Sequence, residues 1–149
     1  MIEKPEDFID QFLSFNPSFL SFHAEACSDP KKLIEKIKSK NCKAGLAVNA
    51  KVSVDSILPF LSLLDFVLVM TVEAGFGGQK FIEDNIQKIK ELDKLRKENN
   101  LVFEIEVDGG VNTENSKKLI LAGTNILVSG TTIFKSDFVS KTIKKLKTV

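Results

Sequence analysis

The chain has 149 residues, 21 basic and 20 acidic side chains for a net charge of +1, and 43% hydrophobic against 28% charged residues. That length suits one core-bearing domain spanning 1–149 with ordinary soluble composition, and so even a charge balance offers no field to attract nucleic acid or an anionic membrane. No apolar run approaches the ~18–20 residues that cross a bilayer, no secretory pattern opens the chain, and two isolated cysteines, Cys27 and Cys42, fit a reduced cytoplasmic setting.

Pro5 opens a first helix in which Phe8, Ile9, Phe12 and Phe15 fall at helical spacing. A proline in the first turn gives up a donor that would be orphaned there anyway. A strand is expected at Phe19–His23. Asp29-Pro30 then starts a helix with Leu33, Ile34 and Ile37 on one face, followed by a short apolar strand over 44–48. Ser53 caps a helix carrying Ile57, Leu58 and Leu61, which Pro59 shortens or kinks. The run Phe66–Met70 is apolar at every position, the mark of a parallel strand buried on both faces. Ile82, Ile86, Ile89, Leu92 and Leu95 repeat at three and four, predicting an amphipathic helix. A strand over 102–107, a helix capped by Thr113 and stopped by Gly123, a strand at Ile126–Val128 and a last helix with Val139, Ile143 and Leu146 complete the order. The twelve phenylalanines have no polar tip to satisfy and are expected as core fillers. Five strands alternating with about six helices mean a parallel sheet with crossover helices. The pattern itself admits two closures, an open doubly wound sheet or a barrel.

Three glycine-containing segments follow three successive strands: Thr71 to Gln79 with Gly75, Phe76, Gly77 and Gly78; Asp108-Gly109-Gly110-Val111; and Ser129-Gly130-Thr131-Thr132. All three belong at the C-terminal ends of parallel strands, where such proteins place their sites. Glycines let a ligand approach backbone N–H donors closely, and a helix N-terminus behind the loop favours an anion. Each segment alone is no more than a turn signal, but turns have no reason to converge. Asp108 closes its strand at the mouth, where it serves as an acid–base group, a metal ligand or the cap of the next turn. His23, the only histidine, also ends a strand. Without a partner at metal-ligand spacing, a structural hydrogen-bonding role suits it better than ligation.

These segments resemble the ribulose-phosphate 3-epimerase family. The match runs through Val69-Met70-Thr71-Val72-Glu73-Ala74-Gly75-Phe76-Gly77-Gly78-Gln79, Glu106-Val107-Asp108-Gly109-Gly110-Val111 and Val128-Ser129-Gly130-Thr131-Thr132. Phe22-His23-Ala24-Glu25-Ala26, Gly45-Leu46-Ala47-Val48-Asn49 and the first eight residues match as well. The resemblance implies a (β/α)8 TIM barrel of the ribulose-phosphate-binding type, present as an incomplete barrel of about strands 4–8 and helices 3–8. It implies a cytoplasmic isomerase of the pentose phosphate pathway that interconverts D-ribulose 5-phosphate and D-xylulose 5-phosphate by two-aspartate proton transfer at C3. A divalent metal assists (zinc first among zinc, iron, manganese and cobalt), and the enzyme is expected to form homo-oligomers.

Asp108 matches an aspartate that is both catalytic and a metal ligand. Gly75, Phe76, Gly77, Gly78, Gly109, Gly110, Gly130 and Thr131 match the substrate cradle, and Met70 a methionine lining the mouth. Ala74 and Ala50 replace prolines, and Thr131 replaces a serine while keeping the hydroxyl. A serine, two histidines and the partner aspartate of the family's first three strands have no counterpart here, so the 149 residues alone are expected to be inactive. Two other readings stay open: a non-catalytic sugar-phosphate-binding remnant or assembly subunit, and an epimerase of a related hexulose phosphate.

Overall fold

Five parallel strands pair in the order in which they occur in the chain: β1 (Phe19–His23), β2 (Lys43–Val48), β3 (Phe66–Met70), β4 (Glu104–Asp108) and β5 (Ile126–Val128). The structure is a computed structural model that describes residues 1–73, 75 and 78–148. The strand order decides between the two closures. A doubly wound sheet reverses direction at a switch point, whereas this one always steps to the next strand. With crossovers of one hand, every connection then falls on the same face, and a sheet covered on one face curls into a barrel. The chain forms a five-stranded sector of that architecture.

The covering layer contains α1 (Ile9–Leu13), α2 (Pro30–Lys38), α3 (Ile86–Glu98), α4 (Ser116–Ala122), α5 (Thr131–Phe134) and α6 (Val139–Leu146). Asp29 caps α2 by accepting from the Lys32 amide at 3.1 Å. Ser53 caps the segment Val54–Leu63, which winds throughout as a 3-10 helix with Pro59 inside it. Proline removes a donor and clashes with the preceding turn, so the α form expected in part there does not develop.

Alternation divides the sheet into two unlike faces. Leu46, Val48, Val67, Val69, Ile105 and Val107 are at most 1% exposed and join Ile34, Ile37, Ile57, Ile89, Leu92 and Leu119 in the core between sheet and helices. The opposite, concave face carries register rows that mix polar and apolar residues. One row runs Ser21, Gly45, Phe66, Glu104 and the next His23, Ala47, Leu68, Glu106. Phe66 lies across Gly45, where a Cβ would meet its ring at 2.4–2.7 Å, and Phe19 meets the same ring edge-on at 5.6 Å. Glycine is needed at 45 because the aromatic ring occupies the space of a side chain.

Several expectations change. The expected first helix divides into a 3-10 turn at Pro5–Asp7 and α1. In α1 only Ile9 and Leu13 are buried, while Phe8, Phe12 and Phe15 stay exposed, as do Phe19, Phe134 and Phe138. Core filling therefore does not describe half of the phenylalanines. β4 begins at Glu104, and Val102, expected within the strand, is 94% exposed in the connection before it. Thr113 does not cap α4. The Asn112 side chain does the turn's work, accepting from the Glu114 and Asn115 amides at 2.8 and 3.1 Å. The four-residue α5 is too short to leave a periodic signature. Gly123 does terminate α4 with φ of 120°, and a Cβ there would strike Asp93 at 2.6 Å.

Candidate active site

Because the strands are parallel, the connections leaving β3, β4 and β5 emerge together. They enclose a cavity of about 460 Å3 lined by Met70, Glu73, Gly75, Gly78, Asp108, Gly109, Gly110, Gly130 and Thr131, among others. Gly78 faces the last connection, its Cβ position 3.9 Å from the Thr131 hydroxyl. Phe76 and Gly77, expected in the same cradle, lie outside the described residues, as does Ala74.

Glycine is required where the walls press closest. Gly109 has φ of 121°, and a Cβ would meet the Val72 backbone nitrogen at 2.8 Å. Gly110 has φ of 65° and stands 2.8 Å from the Phe81 nitrogen by the same measure. Gly130 differs: φ is −93° and nothing stands within 4 Å of a Cβ, so its bare backbone faces open space. The amides that open α5 have no preceding turn to bond to. Among the described residues, no group takes up the Thr131 hydroxyl, whereas those of Ser129 and Thr132 both donate to the Val111 carbonyl at 2.8 and 2.9 Å.

Asp108 ends β4 beside Met70 of β3. Its backbone is pinned from the neighbouring strand: the Thr71 amide donates to the Asp108 carbonyl at 2.8 Å, and the fully buried Thr71 hydroxyl is shared between the Asp108 and Gly109 carbonyls. Asn115 donates to the Gly110 carbonyl at 3.1 Å, and buried Asn85 to the Met70 carbonyl at 3.2 Å. In the sequence, Thr71 counts only as part of the first glycine-containing segment, with no role of its own, and Asn85 and Asn115 are not singled out. Thr71 carries a local signal as a polar residue directly after an apolar strand, whereas Asn85 and Asn115 stand among other polar residues that hide them.

The Asp108 carboxyl is half-buried. Burial raises its pKa above the ordinary carboxylate range, with the Gly109 amide pulling the other way. Glu106, two residues earlier on the same face, is also pushed up, first by burial and then by the charges of Asp108 and Glu104. Glu104 lies 3.7 Å from Lys43. His23 sits apart, with a largely buried side chain whose Nδ1 is 3.4 Å from Glu25 without a hydrogen bond. It lines a second cavity of about 370 Å3 that meets the first at Met70 and Asp108. Among the described residues, no three His, Cys, Asp or Glu side chains gather to hold a metal ion. Asp108 offers one ligand, so these residues do not fit a metal centre as they stand.

A parallel barrel sector with glycine-rich loops and a half-buried carboxyl at its mouth is the architecture of an α/β-barrel enzyme. Solved structures agree on the fold. The sector superimposes on 3-hexulose-6-phosphate synthase from Salmonella typhimurium with a TM-score of 0.69 at 18% identity, covering 93% of this chain and 64% of that one. Thiamine phosphate pyrophosphorylase from Pyrococcus furiosus gives 0.64 at 14% identity, covering 93% and 62%. The sequence goes further. Residues 1–134 match the model of the ribulose-phosphate 3 epimerase family, and the chain belongs to that family. Ribulose-phosphate 3-epimerase of Bacillus subtilis is 40% identical over 148 residues, covering 99% of this chain and 68% of the relative. The Arabidopsis thaliana chloroplastic ribulose-5-phosphate-3-epimerase is 38% identical, with 99% and 53% covered. The chain thus spans between about half and two thirds of the length of these relatives. Among the described residues, no helix is long and apolar enough to cross a membrane.

Proposed function

We propose that these residues form the phosphate side and one proton-transfer group of a site that interconverts D-ribulose 5-phosphate and D-xylulose 5-phosphate. The observation that carries this is the convergence of three strand-end connections on one cavity with Asp108 in its lining. The open amides around Gly130, the Thr131 hydroxyl and the Gly109-Gly110 turn suit a phosphate dianion. Asp108 then removes or returns the proton at C3, next to the C2 carbonyl. A carboxyl whose pKa is raised by burial is a better base and a better acid near neutral pH than an exposed one. Inversion at C3 needs a second group on the other face of the substrate, so Asp108 is one of a pair. Of the described residues, Asp108 alone would offer a ligand to the divalent metal that the resemblance implies.

Self-association belongs to the same proposal. Both sheet edges, β1 and β5, lack a neighbouring strand among the described residues, and Phe15 and Phe134 are 76% and 84% exposed. Sedimentation velocity tests it, and a monodisperse monomer at every concentration would refute it. For the site, titrating 15N-labelled protein with D-ribulose 5-phosphate should move the Gly109, Gly110, Gly130 and Thr131 amide signals. Unmoved signals would sink the reading. A parallel titration with a six-carbon ketose phosphate separates pentulose from hexulose preference.

A further inference from the structure

One half-buried ammonium is not used by the site described above. Lys88 stands on α3 between Ile86 and Ile89, both buried in the core. Its Nζ donates to the backbone carbonyls of Asn49 at 3.0 Å and Ala50 at 2.5 Å. These carbonyls belong to the connection that leaves β2 at the mouth. Burial lowers the Lys88 pKa, with Glu73 and Glu91 acting upward. Among the described residues, no carboxylate comes within ion-pair distance of it. The next residue along that connection, Lys51, pairs with Glu73 at 3.1 Å, and the Glu73 carbonyl accepts from the Gln79 side chain at 2.9 Å. Glu73 and Gln79 both line the cavity.

We infer that Lys88 is a positioning residue that anchors the β2 connection to α3 and, through Lys51 and Glu73, sets the wall of the sugar-phosphate cavity. The inference rests on the proposed sugar-phosphate site. The half-buried ammonium carries the anchoring, because the Lys51–Glu73 pair is exposed and such pairs are weak alone. Two carbonyls at a strand end need a donor with reach, and a lysine from a helix fixed in the core supplies one that does not move with the loop.

The test uses the full chain with K88M, which keeps the apolar stem and removes the donors, and K88R, which restores donors. Two quantities are read well below the melting temperature: hydrogen exchange at Ala50 and Val52, whose amides donate to Asn49, with the Glu73 amide chemical shift beside it, and affinity for D-ribulose 5-phosphate. K88M should exchange faster at 50–52, shift the Glu73 signal and bind about tenfold more weakly, while K88R recovers most of these changes. Faster exchange with unchanged affinity would make Lys88 merely structural and overturn the inference, as would wild-type behaviour in both. If the wild type binds no sugar phosphate, the proposed function fails, and unchanged exchange in K88M would separately overturn the anchoring. Should K88M not fold, K51M decides, since it removes only an exposed contact. A shifted Glu73 amide signal with weaker binding supports the inference, and no change in either overturns it.

Discussion

Replacing Gly130 with alanine separates what the fold needs from what a ligand needs. At φ of −93° with open space around the Cβ position, alanine meets no steric obstacle. A glycine-to-alanine change at a compatible position stabilises by about 0.4–1 kcal/mol through the unfolded chain. Gly130 is also the residue that caps α5, where alanine is poorer than glycine by about 1 kcal/mol. The two nearly cancel, leaving a net change within about 0.5 kcal/mol and a melting temperature within roughly 2 °C of wild type. Binding should respond very differently. A new methyl group stands where a phosphate oxygen would approach the amides, and one hydrogen bond to a charged group contributes about 1.5–3 kcal/mol. Losing it weakens D-ribulose 5-phosphate binding roughly 10- to 150-fold. Calorimetric titration alongside thermal unfolding followed by circular dichroism measures both. Unchanged affinity, or a melting temperature lower by more than about 4 °C, would refute the reasoning.

Gly110→Ala should do the opposite. With φ of 65° and the Phe81 backbone 2.8 Å from the new methyl, left-handed strain and overpacking together cost about 2–4 kcal/mol, visible as a lower urea midpoint. Arg96→Met removes the hydrogen bonds that join α3 to the Gly123 carbonyl at 2.9 Å, the Phe103 carbonyl at 3.3 Å and Asn125. It also leaves Asp93, whose pKa is held low against its burial by Lys97 and Arg96, with Lys97 alone. A loss of about 3 kcal/mol follows, lowering the melting temperature by roughly 6–12 °C. The carboxyls of β4 set a pH dependence. Glu106 and Asp108 have folded pKa values above their unfolded ones, so the stability they favour is complete below the unfolded value of roughly 4 and is lost as pH rises through the folded values. Glu106→Gln should therefore stabilise chelator-treated protein at neutral pH and make no difference below roughly pH 4. Thermal melts across that range check it.

β3 was legible because a strand buried on both faces has no polar interruption, and the run at Phe66–Met70 has none, whereas β4 shows instead the period-two alternation of a strand with two unlike faces. Asp108 and the glycines of the last two connections were legible for a similar reason: strand ends of one sheet share one side. The exposed phenylalanines were not. Phe8, Phe12 and Phe15 have the spacing of a buried stripe, and only the tertiary position of α1 shows that Ile9 and Leu13 take the inward places instead. Thr113 and Asn112 are both capable acceptors before α4, and the conformation of the turn chooses between them. Lys88 was hidden by its class. A lysine on an amphipathic helix reads as solvated, and nothing local reveals two carbonyls from a connection 38 or 39 residues earlier within its reach.

The placement of Asp108 follows from the packing of residues that do no chemistry. Ile105 and Val107 are fully buried against the helix layer, and alternation then obliges Glu104, Glu106 and Asp108 to face the other way. A shift of β4 by one residue would drive three carboxylates into an apolar core, so register is specified by a penalty no local rearrangement could relieve. The same arrangement crowds like charges on the concave face, which is why Glu106 is raised by both of its acidic neighbours as well as by burial. Burial raises Asp108 too, a shift in the direction that suits the acid–base role proposed for it. Thr71 completes the constraint by holding the Asp108 carbonyl from β3's end through both its amide and its hydroxyl. The carboxyl is thus fixed by a buried strand on one side and a buried threonine on the other. Its position should persist in an Asp108→Asn protein, whose Thr71 amide should exchange as slowly as in the wild type.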